Sequence, residues 1–281
     1  MEKKVNLGKS TNGQIEFLNE ISKGDLENYT ESVNELIKLN KSTWPFLIAQ
    51  KNYFLFMEET IEDFNGLNFL KHIPWEFMEE KTIQSNRRLY NFISSFVSFT
   101  DHAKTYLNRN YGENSEELKE FKIESSFNFD NCFGYRFFCK LRDYIIHCGM
   151  PMGNISLISE RNEKKGIYEN TVILKFGKEE LLKNFPKKKW GNIVGPELEL
   201  KEDFFSVSNL VYDTMVCIKK LNQILENFNH KLIIGETKKI KNALKIDSKW
   251  AKDYCLLVWN EENENKSVSI SQIPFHLLIE K

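Results

Sequence analysis

The chain has 281 residues, 41% of them hydrophobic and 13% aromatic, which is enough apolar material for one large core or two small ones. A net charge of -1 argues against a globally basic nucleic-acid binder. The charge is uneven, however: 15 Lys and Arg stand against 21 Asp and Glu in residues 1–130 (-6), and 24 against 19 in residues 131–281 (+5). Five cysteines without a C-x-x-C pair suggest neither a disulfide framework nor a zinc knuckle, so free thiols are expected and neither a metal nor a cofactor. The N-terminus lacks an apolar core segment, and no apolar run approaches the ~20 residues that span a bilayer. A cytoplasmic protein with no membrane partner is expected.

In chain order, residues 26–40 place Leu26, Tyr29, Val33, Leu36 and Ile37 on one helical face. Residues 44–64 read as a densely apolar helix with Pro45 in its first turn, and the loop NGLNFLKHIPWEF follows. A long helix from about Ser85 to Asn110 turns Leu89, Phe92, Ile93, Phe96, Phe99 and Leu107 inward. An acidic helix over 113–123 and an apolar one over 130–148, ended by Gly149 and Pro151, complete a bundle assigned to residues 1–150. Residues 151–281 read as a hairpin (NISLISE, TVILKF), a loop through FPKKKWGNIVGPE, a returning bundle helix at about 203–230, a further helix near 233–247, and the strands CLLVWN and SVSISQI. The expected fold is mainly α: a helical bundle with a small antiparallel β element whose four strands pair with one another.

The helix at 130–148 contains YRFFCKLRDYIIHCGMP. With Phe137 at 0° and about 100° per residue, Leu141, Tyr144, Ile145 and Cys148 form a core stripe. Arg142 falls near ~140°, Asp143 near ~240° and His147 near ~280° on the same wheel. Asp143 and His147 are i,i+4 neighbours, close enough for the carboxylate to contact the imidazole and fix its tautomer. Arg142 and His147 lie at opposite margins of the polar face, with Ile146 between them. Two copies about a twofold axis would bring an arginine and a histidine from each chain to a shared groove.

Arg142-Asp143-Tyr144-Ile145-Ile146-His147 is an R-x4-H motif with a polar residue after the arginine. It resembles the signature of the HEPN superfamily of ribonucleases, helical-bundle proteins of bacterial toxin and phage-defence systems. The resemblance covers roughly residues 85–152. It implies a HEPN-like bundle and a homodimeric, metal-independent endoribonuclease, a toxin or antiviral effector with an antitoxin or sensor protein as a further partner. His147 would move protons to and from the RNA 2′-OH and 5′-oxygen, Arg142 would clamp the phosphate, and Asp143 would orient the imidazole. The 2′-OH is the nucleophile, so RNA is the substrate and DNA is spared. Members of the family regulated by AMPylation carry a tyrosine two residues after the histidine; Gly149 stands there in this chain.

Lys187, Lys188 and Lys189 beside Trp190 join a basic run to an aromatic, a pattern that holds RNA backbone and stacks a base; a solvated loop is the competing reading. His102 and Arg88 are further candidates for the same groove, and each is also readable as structural, as is Arg87. His72, His230 and His276 have no partner pattern. Gly8-Lys9-Ser10 imitates the end of a phosphate-binding loop, but Lys3 stands where its first glycine belongs. Cys148 adjoins His147, yet adjacent helical residues point about 100° apart, which argues against a thiol hydrolase. The non-enzymatic alternative is a helical dimer that binds RNA or a protein, with the motif only structural.

Overall fold

A computed structural model describes residues 4–12, 14–64, 73–162, 167–246, 254–262 and 265–278. Strands Lys4–Thr11 (β1) and Gln14–Ile21 (β2) come first, then helices Lys23–Ser42 (α1) and Trp44–Phe54 (α2). A π-helical turn, Leu55–Glu59, leads into the short helix Thr60–Glu62 (α3). Helices Trp75–Tyr111 (α4), Glu116–Asn131 (α5) and Phe133–Cys148 (α6) follow, then strands Asn154–Asn162 (β3) and Ile167–Gly177 (β4). Helices Lys178–Asn184 (α7) and Lys187–Glu199 (α8), strand Phe204–Ser206 (β5), helix Val207–Leu244 (α9), and strands Tyr254–Glu262 (β6) and Asn265–Gln272 (β7) complete the order. The chain is mainly α with small antiparallel sheets, as its apolar periodicity implies.

The division is not at residue 150. The chain forms two compact units, one of residues 1–43 with 226–281 and one of residues 44–225. In the first, the strand order is β2-β1-β6-β7, antiparallel throughout. Val5 and Leu7 of β1 and Leu256 and Leu257 of β6 are buried. A methyl group on Gly8 would stand 2.7 Å from Leu257 Cδ1, so this glycine serves close strand packing and not phosphate binding. Leu36 and Leu39 of α1 and Ile240 and Leu244 of α9 are buried in the same unit.

The second unit is built on α4. Phe46 of α2 meets Phe99 edge-on with centroids 5.8 Å apart, and Tyr53 lies 6.2 Å from Phe92. The β3-β4-β5 sheet supplies Phe176 and Phe205, both packed on Phe137 of α6. The four strands read from the sequence therefore do not pair as one set: the first two join β5, and the last two join the N-terminal hairpin. The segments read as separate helices near 203–230 and 233–247 are one helix, α9. The stretch read as a loop at FPKKKWGNIVGPE is mostly α8, broken at Gly191, whose φ of 85° suits glycine.

Candidate active site

Burial divides α6 as its wheel requires. Phe137, Phe138, Leu141, Tyr144 and Ile145 are buried, and Arg142, Asp143, Ile146 and His147 are exposed. The helix is held on several sides. Phe138 packs on Phe92 and Tyr135 on Phe96 of α4. Phe137 stacks on Trp190 of α8 at 5.5 Å and 10°. At the N-terminal end, Gly134 lies so close to α9 that a methyl group would stand 2.7 Å from the Leu210 carbonyl oxygen. Buried Arg136 donates to both carboxylate oxygens of Glu197, through Nε at 2.6 Å and through Nη2.

The motif end is fixed just as firmly. The Tyr144 ring lies 5.8 Å from Trp190 and 5.9 Å from Phe185, and its hydroxyl accepts from Asn184 Nδ2 at 3.3 Å. The Cys148 thiol donates to the Asn184 carbonyl at 3.2 Å. Gly149, with φ of 109°, ends the helix. Asn86 of α4 then takes the departing chain in two hydrogen bonds, accepting from Met152 N at 3.1 Å and donating to Met152 O at 2.6 Å. Asn86 was missed at the level of sequence; its only signal is a polar residue on the buried stripe of α4.

Among the described residues, Arg142, Asp143 and His147 make no hydrogen bond or ion pair within the chain. The expected Asp143–His147 contact is therefore not formed. Both side chains are exposed, where such a pair gains only about 0–1 kcal/mol against the entropy of holding it. Arg142 and His147 stay apart, at the two margins of the exposed face.

Arg88 is not available to a substrate. It is buried, with Nη1 2.5 Å from Asp63 Oδ2 and Nη2 3.3 Å from Glu59. Burial alone would raise the Asp63 carboxyl, but hydrogen bonds from Arg88 and Lys81 outweigh it and hold the group below its ordinary value. Arg87 is the exposed member of that pair and directly follows Asn86. His102 is exposed on α4, sixteen residues or about 24 Å of helix beyond Asn86, and the structure gives it no contact with the motif.

The basic run opens α8. Lys187 pairs with Glu199 at 2.6 Å, Lys188 is exposed, and Lys189 lies over the Phe185 ring at 5.3 Å. Trp190 cannot stack a base, because it is wholly buried against Phe137 and Tyr144. Phe185 and Trp190 flank the lysines and both pack on Tyr144, so the run starts beside the turn of α6 that carries the motif. Lys140 joins it: its Cε is 3.9 Å from where a methyl group on Gly191 would stand. His230 and His276 line a cavity of about 300 Å³ in the first unit, and His72 lies outside the described residues.

A different arrangement marks the start of α6. The Cys217 thiol donates to the Cys132 sulfur, and with help from the Tyr135 and Gly134 amides this lowers the Cys132 thiol to about 6 despite burial; Cys217 is pushed up in turn. Among the described residues no group of three or more metal-ligating side chains occurs, and no helix is long and apolar enough to cross a membrane. No family model, curated protein or solved structure matches this chain.

Proposed function

We propose that the protein is an endoribonuclease of HEPN type, acting without a metal as a homodimer whose twofold axis passes near the C-terminal end of α6. The observation that carries this reading is the contrast between the arginines. Arg88 and Arg136 are buried and paired with carboxylates, whereas Arg142 and His147 project unpaired from a helix whose other face is locked into the core. Unpaired cationic and titratable groups on a rigid element suit a reaction in which geometry must be held within a fraction of an ångström. His147 transfers the proton and Arg142 grips the phosphate as charge builds on it. Each chain supplies half of the groove, because the two residues lie at opposite margins of one face. Exposed Ile146 and Met150 belong to the dimer contact. Lys188, Lys189 and Lys140 extend the positive surface along which RNA lies. The role of the protein is that of a toxin or anti-phage effector in the cytoplasm, and a neutralising or sensing protein is its further partner.

The test is incubation of the purified chain with total RNA, with and without EDTA, beside His147→Ala. Cleavage insensitive to EDTA, with 2′,3′-cyclic phosphate ends and lost in His147→Ala, is the expected result. Cleavage that needs the metal, or survives in His147→Ala, overturns the reading. RNA binding without any cleavage favours the non-catalytic alternative.

A further inference from the structure

Two cysteines meet at the start of α6, and the ribonuclease reading uses neither. Cys132 stands at the joint between α5 and α6, with φ of -120° and ψ of 108°, and Cys217 lies on α9. Leu210, Thr214 and Cys217 follow one another at spacings of four and three, so they share one face of α9. That face receives the start of α6. A methyl group on Gly134 would stand 2.7 Å from the Leu210 carbonyl oxygen, 3.0 Å from Thr214 Oγ1 and 3.3 Å from Leu210 Cα. Backbones this close bring the two sulfurs together, and the Cys217 thiol donates to the Cys132 sulfur. Both cysteines are free.

Unlike surroundings set the order in which the two sulfurs react. Cys132 is half-buried, so a small oxidant reaches it from solvent, whereas Cys217 is buried. The Cys217 thiol and the Tyr135 and Gly134 amides hold negative charge on the Cys132 sulfur, against burial and the Asp213 carboxylate. Thiolate is the form that attacks peroxides, and redox-sensing cysteines commonly stand beside a second one that resolves them. We propose that Cys132 and Cys217 form a peroxide-sensing site, in which Cys132 is oxidised first and Cys217 then closes a reversible disulfide. The Cys132 thiolate attacks one peroxide oxygen; an S–O bond forms, the O–O bond breaks and hydroxide leaves. The sulfur loses two electrons and the peroxide gains them. The Cys217 sulfur then attacks the Cys132 sulfenic sulfur, the S–S bond forms, and the hydroxyl leaves with the Cys217 proton as water. Cys132 stands at a joint and not inside a helix, so its backbone yields as the sulfurs close to the ~2.05 Å of the bond. The pair lies at the opposite end of α6 from His147, about 22 Å along the helix, and is independent of the ribonuclease reading.

The experiment reads covalent state and not RNA cleavage. The full chain is treated with hydrogen peroxide at pH 7, remaining thiols are blocked with iodoacetamide in denaturant, and the unreduced digest is mapped by mass. Peptides joined through Cys132 and Cys217, lighter by two hydrogens and separated by dithiothreitol, are the expected result. Cys139, whose thiol burial pushes up to about 12, is expected to stay reduced and carry the alkyl label. In Cys217→Ala the Cys132 sulfenic acid has no resolving thiol, so dimedone is expected to label it. Cys132→Ala is expected to slow oxidation of Cys217 at least about 10-fold, since a buried protonated thiol attacks peroxide poorly. Melting temperatures check the fold of both variants, and the wild-type map stands without them. Cys132 and Cys217 both alkylated after peroxide, Cys132 joined to another sulfur, or oxidation of Cys217 at an unchanged rate in Cys132→Ala overturns the inference.

Discussion

Arg88, Arg136 and Arg142 carry the same guanidinium into three surroundings. Arg88 holds Asp63 in a largely buried pair that Lys81 shares at 3.1 Å, so Arg88→Ala should cost about 1–3 kcal/mol, because it removes the closer of the carboxylate's two cations and leaves Lys81. The pair also sets an acid-side signature. Asp63 is held below its unfolded value of 3.8, so its contribution is complete above that pH and is lost as pH falls through the lower folded value. Denaturant unfolding at neutral and at acid pH should therefore show wild type losing its advantage over Arg88→Ala in acid. Arg142 is exposed, and on the proposed reading Arg142→Lys keeps the charge but loses the two-pronged grip. It should remain impaired, while His147→Ala should lose at least about 10²-fold in cleavage rate, with melting temperatures of both variants near wild type. At Cys132 the lowered thiol predicts alkylation by iodoacetamide that sets in near pH 6, against about 9 for an ordinary cysteine. Cys217→Ala, which removes the donor, should move that onset upward, which peptide mass mapping across pH would show.

At the scale of elements, α6 was legible because its core stripe, charged margin and glycine stop agree, and Phe137, Leu141, Tyr144 and Ile145 are buried as the wheel places them; the exception is Arg136, which falls between Asp143 and His147 on the wheel yet is buried on Glu197. Its neighbours were less so. β1 and β2 were missed because Lys9, Ser10, Glu16, Asn19 and Glu20 break any clear alternation, and β2 has few buried positions. α8 was read as loop because Pro186, Gly191 and Pro196 are breakers, yet they begin, bend and continue a helix anchored by Trp190. The candidate site was legible in Arg142 and His147 and illegible in Arg88, whose ion partners lie 25 and 29 residues earlier in the chain. What no local pattern revealed is the closeness of α6 to α9 at Gly134. Gly134→Ala forces a methyl into the Leu210 carbonyl and should destabilise by about 1–3 kcal/mol, read as a lowered denaturation midpoint. Glycine to alanine inside an unobstructed helix would instead stabilise slightly.

Across the whole molecule, the formal excess of Lys and Arg in residues 131–281 matters only where it is unpaired. Lys187 is tied to Glu199, whereas Lys188 is exposed. If RNA follows the start of α8, changing Lys188 and Lys189 to glutamine should weaken binding and flatten its dependence on salt by roughly one to two counterions. Changing Lys187 alone should do less. Filter binding across a salt series separates the two. The first unit makes a different demand. Residues 1–21 bring β1 to the edge of β6, so their deletion uncovers Leu256 and Leu257 and opens a strand edge. Such a variant should aggregate or melt earlier, as light scattering during heating would record.

The pairing of β1 with β6 also orders events at the ribosome. Residues 44–225 are consecutive, so that unit has all of its own chain before β6 and β7 are made. β1 must wait for a partner that is made about 230 residues after β2, on the order of 10–50 s later at common elongation rates. Until then the N-terminal hairpin leaves one long edge unpaired. A sheet whose first strand must wait for one made so much later is an obvious point for a chaperone to attend.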